Sequence, residues 1–156
     1  MLEVSFYILS PGAYSESLPG QFGNASQQQS LNLIACKLAE KAFHKGIYCV
    51  IYTHSEAHSR IIDDLLWTFR NTSFIPHQIL MTEQPISIPQ VLICNGFLPQ
   101  AENLTVINLT NTCPNNLERC TRILEIVDNN ETTKQAGRQR YRHYQNLGAN
   151  LVTHKL

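Results

Sequence analysis

The chain has 156 residues, with Lys+Arg 12 against Asp+Glu 12, 43% hydrophobic and 15% charged residues, and five cysteines. That composition excludes disorder, collagen and a coiled coil, and the length allows a core that needs neither disulfide nor metal. No apolar run approaches the roughly 18–20 residues that cross a bilayer, and Met1-Leu2-Glu3-Val4-Ser5-Phe6-Tyr7 lacks the basic n-region of a secretory signal, so one soluble, cytoplasmic domain over residues 1–156 is expected.

Val4 to Leu9 is a short apolar and aromatic run ended by Ser10-Pro11-Gly12, and it predicts a first strand. Residues 11–26, rich in Gly, Pro and Ser, read as a loop. Leu31, Ile34, Ala35, Leu38 and Ala42 then recur at helical spacing, and Gly46 ends that helix. Ile47-Tyr48-Cys49-Val50-Ile51-Tyr52 is continuously apolar, as in a parallel strand buried on both faces. Thr53 or Ser55 can cap a second helix whose apolar stripe is Ala57, Ile61, Ile62, Leu65, Leu66 and Phe69. Strands are predicted near 88–94 and 104–109, helices near 115–127 and 132–147, and a short final strand at Asn150-Leu151-Val152-Thr153. This order predicts an α/β fold, a single Rossmann-like domain with a mostly parallel central sheet flanked by helices.

The neutral total conceals an asymmetry. Residues 1–131 hold all 12 acidic residues and seven basic ones, a balance of −5, whereas residues 132–156 hold Lys134, Arg138, Arg140, Arg142 and Lys155 with no acid. Such a segment is either a solvated basic helix or a receptor for an anionic partner. Cys36, Cys49, Cys94, Cys113 and Cys120 form no C-x-x-C pair, which fits packed thiols in a reducing compartment.

The motifs of an α/β enzyme are missing. Gly12, Gly20 and Gly23 in the first loop do not make G-x-G-x-x-G, and no Gly-Lys-Ser/Thr is present. His54 and His58 do not follow the H-E-x-x-H spacing and have no third ligand nearby, so they are expected to be a surface pair and no metal site is expected. No G-x-S-x-G elbow occurs, and Cys49 and Cys94 fall inside strands predicted to be buried. No catalytic residue and no cofactor can be assigned.

Two surfaces stand out instead. On the second helix Trp67, the only tryptophan, falls opposite the apolar stripe, with Arg60, Asp63 and Asp64. Phe74-Ile75-Pro76 follow shortly after, and exposed aromatics close in sequence suggest a protein-binding patch. On the last helix Lys134, Arg138, Tyr141, Arg142 and Gln145 share one face. Arg supplies a fork for a carboxylate, Lys a point charge, and Tyr a ring that can border an apolar pocket, a mixture suited to an acidic peptide with a hydrophobic end. The same mixture suits a nucleic-acid backbone, but the patch is small and the rest of the chain is acidic, so the peptide is preferred.

The segments Phe6-Tyr7-Ile8-Leu9, Leu65-Leu66-Trp67 with Ser73-Phe74-Ile75-Pro76-His77, and Lys134-Gln135 with Arg138-Gln139-Arg140-Tyr141-Arg142-His143-Tyr144 together resemble the chi subunit family of bacterial DNA polymerase III. The resemblance runs over almost the whole chain in length and element order. It implies a Rossmann-like domain without nucleotide chemistry that serves as a non-catalytic accessory subunit in DNA replication. The implied partners are the psi subunit, which tethers chi to the clamp loader, and the acidic C-terminal tail of single-stranded-DNA-binding protein, which ends in a Pro-Phe carboxylate. DNA contact would be indirect. By position, Trp67, Phe74 and Pro76 match the psi-facing surface, and Lys134, Arg138, Tyr141, Arg142 and Thr153 match the tail-binding surface. The chain departs from the family at Asn129-Asn130-Glu131, a shorter connection without the expected apolar residue, and at Gln145, where a further base can stand. The alternatives are a nucleotide-dependent α/β enzyme and a direct binder of single-stranded nucleic acid.

Overall fold

The computed structural model describes residues 2–9, 27–47, 49–69, 75–82 and 91–155. Their elements are β1 (Glu3–Ile8), α1 (Gln27–His44), β2 (Cys49–Thr53), α2 (Glu56–Thr68), β3 (His77–Ile79), β4 (Val91–Asn95), β5 (Leu104–Asn108), β6 (Cys120–Val127), α3 (Glu131–Asn146) and β7 (Asn150–Lys155). The seven strands form one sheet in the order β3-β4-β2-β5-β6-β1-β7. Every pairing between them is parallel. The α/β, Rossmann-like fold expected from the sequence is therefore the observed one, more uniformly parallel than anticipated.

Parallel strands between helical layers must be apolar on both faces, and β2 is buried at all five positions. Tyr7, Leu9, Ile51, Ile93, Ile107, Leu124 and Ile126 turn to the face covered by α1 and α2. Val4, Phe6, Val50, Leu92, Val106, Ile123 and Val127 turn to the other, where Tyr144 and Tyr141 of α3 pack. Two cores thus back onto one sheet. Ser55 caps α2, its side chain accepting from His58 N at 3.0 Å. Asn130 does the same for α3, accepting from Thr132 N at 2.9 Å. Gly148, at φ +80°, supplies the left-handed residue that ends α3 and turns the chain into β7.

The helix expected near 115–127 is a correction: a single 3-10 turn at Leu117–Arg119 leads into β6, a strand of eight residues between β5 and β1. Arg122 and Glu125 interrupt its apolar run and give it a helical look, yet Glu125 is fully buried. Its Oε1 accepts from Arg140 Nε at 3.0 Å, and its Oε2 accepts from Tyr144 Oη at 2.6 Å and Asn108 Nδ2 at 2.9 Å. This cluster joins the middle of β6 to α3. Burial still raises the Glu125 pKa above the usual carboxylate range, against the pull of Arg140 and the other donors. Strand β3 was not expected at all, and the final strand runs two residues further than predicted.

The α2 stripe is also rotated. Ile62 and Leu66 are buried as expected, but Ala57 and Ile61 are exposed, and His58 and Ser59 take the inner positions. The two histidines are accordingly not a surface pair. His58 is buried with Nε2 2.8 Å from Asn32 Oδ1, and His54, exposed, stacks on it at 4.2 Å. Burial, reinforced by His54, lowers the His58 pKa to about 4. Cys49 and Cys94 are buried, as predicted, and burial lifts both thiols to about 12. The first loop with Gly12, Gly20 and Gly23 lies outside the described residues.

Candidate functional site

Helix α3 packs across β6 and β7, and under its N-terminal half it leaves a half-open cavity of about 170 Å³. Phe6 and Ile8 of β1, Val127 of β6 and Thr153 of β7 contribute from the sheet, and Lys134, Gly137, Arg138 and Tyr141 from the helix. The residues come together for simple reasons. Phe6 and Ile8 alternate onto the α3 face of β1, and Lys134, Gly137, Arg138 and Tyr141 are spaced at three and four on α3. Thr153 is in register with Phe6 on the neighbouring strand.

Gly137 makes the space. A Cβ there would stand 3.2 Å from Val127 Cγ2, so any larger residue would crowd the cavity wall. The Phe6 and Tyr141 rings lie 5.4 Å apart and tilted, which fixes the tyrosine over the mouth. The walls are almost entirely apolar because Lys134 and Arg138 present their aliphatic stems inward. Arg138 is exposed, and its Nη1 lies 3.4 Å from Glu131 Oε1 at the start of the same helix.

Four of the five residues expected at a tail-binding surface, Lys134, Arg138, Tyr141 and Thr153, thus line one cavity. Arg142 is exposed and does not line it. Phe6, Ile8, Val127 and Gly137 were not singled out from the sequence. The alternation of β1 was the available signal for the first two, and a glycine in mid-helix was the signal for the last. Arg140, part of the same basic segment, faces inward to Glu125 and is unavailable to a ligand.

The second surface lies at the opposite edge of the sheet. Trp67 is 58% exposed and meets the His77 ring edge-on at 5.1 Å. His77 is held by Ile75 O, 2.7 Å from Nδ1, and lies 3.3 Å from Asp63 Oδ1 through Nε2. Pro76 is half-buried beside it, and Phe74 lies outside the described residues. A cleft of about 320 Å³ between α1 and α2 has Asp64 as its one charged lining residue, the wrong sign for an acidic ligand. Among the described residues no group of three or more His, Cys, Asp or Glu could hold a metal ion.

The family model described as "DNA polymerase III chi subunit, HolC" matches residues 1–152. The chain belongs to that family. The "DNA polymerase III subunit chi" of Pseudomonas aeruginosa is 33% identical over 123 residues, 79% of this chain and 84% of the relative. The protein of the same name from Haemophilus influenzae is 30% identical over 122 residues, covering 77% and 83%. A solved structure titled "The crystal structure of T4 UvsW" superposes with a TM-score of 0.60 at 12% identity, over 99% of this chain and 42% of that one, a likeness of fold alone. Membership makes the protein an accessory subunit of the DNA polymerase III complex, with a role in replication. Among the described residues no helix is long and apolar enough to cross a membrane.

Proposed function

We propose that the protein is a non-catalytic adaptor in the cytoplasm, joining the clamp loader to coated single-stranded DNA. On this reading the Trp67–Pro76 surface, with Phe74, takes the psi subunit, and the α3 cavity takes the acidic C-terminal tail of single-stranded-DNA-binding protein. The observation that carries the second assignment is the cavity itself, an apolar recess of about 170 Å³ with Arg138 and Lys134 at its mouth. Apolar cavities of about 150 Å³ take up benzene, so the space suits one terminal aromatic side chain.

In this mechanism the terminal ring enters against Phe6, Ile8 and Val127, beneath Tyr141. Arg138 pairs the terminal carboxylate through its planar fork, and Lys134 attracts the preceding acids. Exposed ion pairs contribute at most ~1 kcal/mol each and fade with salt. Affinity therefore comes mainly from ring burial together with the paired carboxylate. Such attachment exchanges quickly, as a subunit that travels along DNA requires.

Fluorescence anisotropy of a labelled acidic peptide ending in Asp-Ile-Pro-Phe tests the reading. Saturable binding is expected, weakened by Arg138→Ala and by amidation of the terminus. A folded protein that ignores the peptide, or binds the amide equally well, would overturn the tail-site assignment.

A further inference from the structure

Strand β7 ends the sheet, and among the described residues nothing pairs with its outer side. It is six residues long, in unbroken register with β1 from Asn150 opposite Glu3 to Lys155 opposite Ile8. Asn150 N donates to Leu2 O at 2.9 Å. A parallel ladder bonds alternate residues to each side, so Asn150, Val152 and His154 face β1 while Leu151, Thr153 and Lys155 turn their N–H and C=O groups to the open edge. This edge has no proline, bulge or covering segment among the described residues, and of the devices by which proteins usually blunt an edge it carries one, the cation Lys155 at its end. Thr153 belongs at once to this edge and to the α3 cavity.

We propose that the open edge of β7 receives an acidic peptide as an eighth strand, parallel to β7, with the peptide's last residue turned into the cavity beside Thr153. The proposal rests on reading that cavity as a tail site and adds the path of the preceding residues, which pair with the outward main-chain groups of Thr153 and Leu151. Two observations fix the occupant and its direction. Apart from Arg140, which is buried against Glu125, the segment 132–156 carries four cations, Lys134, Arg138, Arg142 and Lys155, and no acid, which attracts an acidic strand and repels a second copy of itself. Helix α3 joins the parallel strands β6 and β7 and so runs antiparallel to β7, which means that stepping back along β7 from Thr153 leads from Arg138 toward Arg142. Four helical residues advance ~6 Å and two strand residues ~6.6 Å. With the proline, which has no N–H to donate, opposite Thr153, the Asp three places before the terminus therefore lies abreast of Arg142, the one expected site residue that the cavity leaves out. An antiparallel peptide would run past Lys155 and off the sheet.

The test is a backbone N-methyl scan of the non-proline residues of the Asp-Ile-Pro-Phe peptide and of its upstream acidic residues, read by anisotropy against the unmodified peptide. Strand addition predicts that methylation at every second amide weakens binding about three- to tenfold, the loss of one hydrogen bond, with the intervening positions nearly silent. Amide exchange should show Leu151 and Thr153 gaining protection with peptide, while Val152 and His154 are protected throughout. Thr153→Pro, which deletes an outward N–H without removing a bond to β1 and loses the threonine side chain just as Thr153→Ala does, should weaken binding beyond Thr153→Ala. Binding that needs Arg138 but ignores every methyl group would overturn the strand and leave the tail site standing. No binding of the unmodified peptide would overturn both. Protection of Leu151 and Thr153 without peptide, together with a dimer in sedimentation, would instead assign the edge to a second copy and overturn the proposal.

Discussion

Breaking the Glu125–Arg140 pair tests what holds α3 over the cavity. Arg140 and Glu125 are 3% and 0% exposed and 3.0 Å apart, with Tyr144 donating to the same carboxylate at 2.6 Å. Removing one partner of a buried pair leaves an uncompensated charge, which costs about 3–5 kcal/mol, whereas removing both can be close to neutral. Arg140→Met and Glu125→Met should therefore each lower urea-unfolding stability by about 3 kcal/mol or more. The double variant strands the Tyr144 hydroxyl and one Asn108 N–H, at about 1–3 kcal/mol each, but Glu125→Met strands the same two donors and their cost cancels from the cycle. The cycle thus gives a coupling of at least ~3 kcal/mol. Arg140→Met carries a second signature. Losing the guanidinium raises the Glu125 pKa further above its unfolded value, so the folded variant holds a proton that the unfolded chain releases. Its stability is then greatest in acid and falls as pH rises past the ordinary carboxylate range. Additive single losses, or an Arg140→Met loss under ~1 kcal/mol, would refute this account of how α3 is anchored.

Three further outcomes follow from particular contacts. His58 has its pKa lowered from 6.5 to about 4, so between those values the unfolded chain takes a proton that the folded one refuses. Stability should fall by about 2–3 kcal/mol as pH drops from 6.5 to 4, and urea titrations of wild type and His58→Gln with identical pH dependence would sink the assignment. Gly137→Ala gains up to ~1 kcal/mol of helix propensity but pushes a methyl to 3.2 Å from Val127 Cγ2. The melting temperature should hold while peptide affinity drops severalfold, and unchanged affinity would show that the cavity is not used. Trp67→Ala, at a 58% exposed position, should leave unfolding almost unchanged yet weaken psi binding by at least tenfold in a titration, as loss of a hot-spot aromatic does.

The sequence made the apolar framework legible where burial alone decides structure. β2, β4 and β5 are short β-branched runs between turns, and α1 buries the stripe its periodicity marks. Where polar groups are buried the reading failed. Glu125 and Arg122 disguised β6 as a helix because no local rule foresees Arg140 arriving from 15 residues away to satisfy a carboxylate. His58 and Ser59 rotated α2 because Asn32 and Thr53, the latter 2.6 Å from Ser59 Oγ, receive them. The basic face of α3 could be read from its spacing, which is local. The cavity beneath it could not, because Phe6, Val127 and Thr153 meet only through the order of β6, β1 and β7.

Charge counting hides a constraint on the tail site that lies within α3 itself. Arg138, the proposed carboxylate ligand, already has a neighbour, Glu131 Oε1 at 3.4 Å, with the two side chains 60% and 69% exposed. So exposed a pair contributes little to stability, but an incoming carboxylate must displace it and meets its negative charge at the cavity mouth. Glu131 stays because it occupies the first turn of α3, where a carboxylate favours the helix dipole by about 0.3–1 kcal/mol. The two roles have opposite signs. Glu131→Gln should lower the melting temperature slightly and raise affinity for the acidic peptide about two- to fivefold at low salt, with the gain vanishing as ionic strength rises. Measured together by thermal denaturation and anisotropy, these changes should move apart. If Glu131→Gln weakens the peptide, or leaves it unaffected at low salt, Arg138 is not the group that meets the terminal carboxylate.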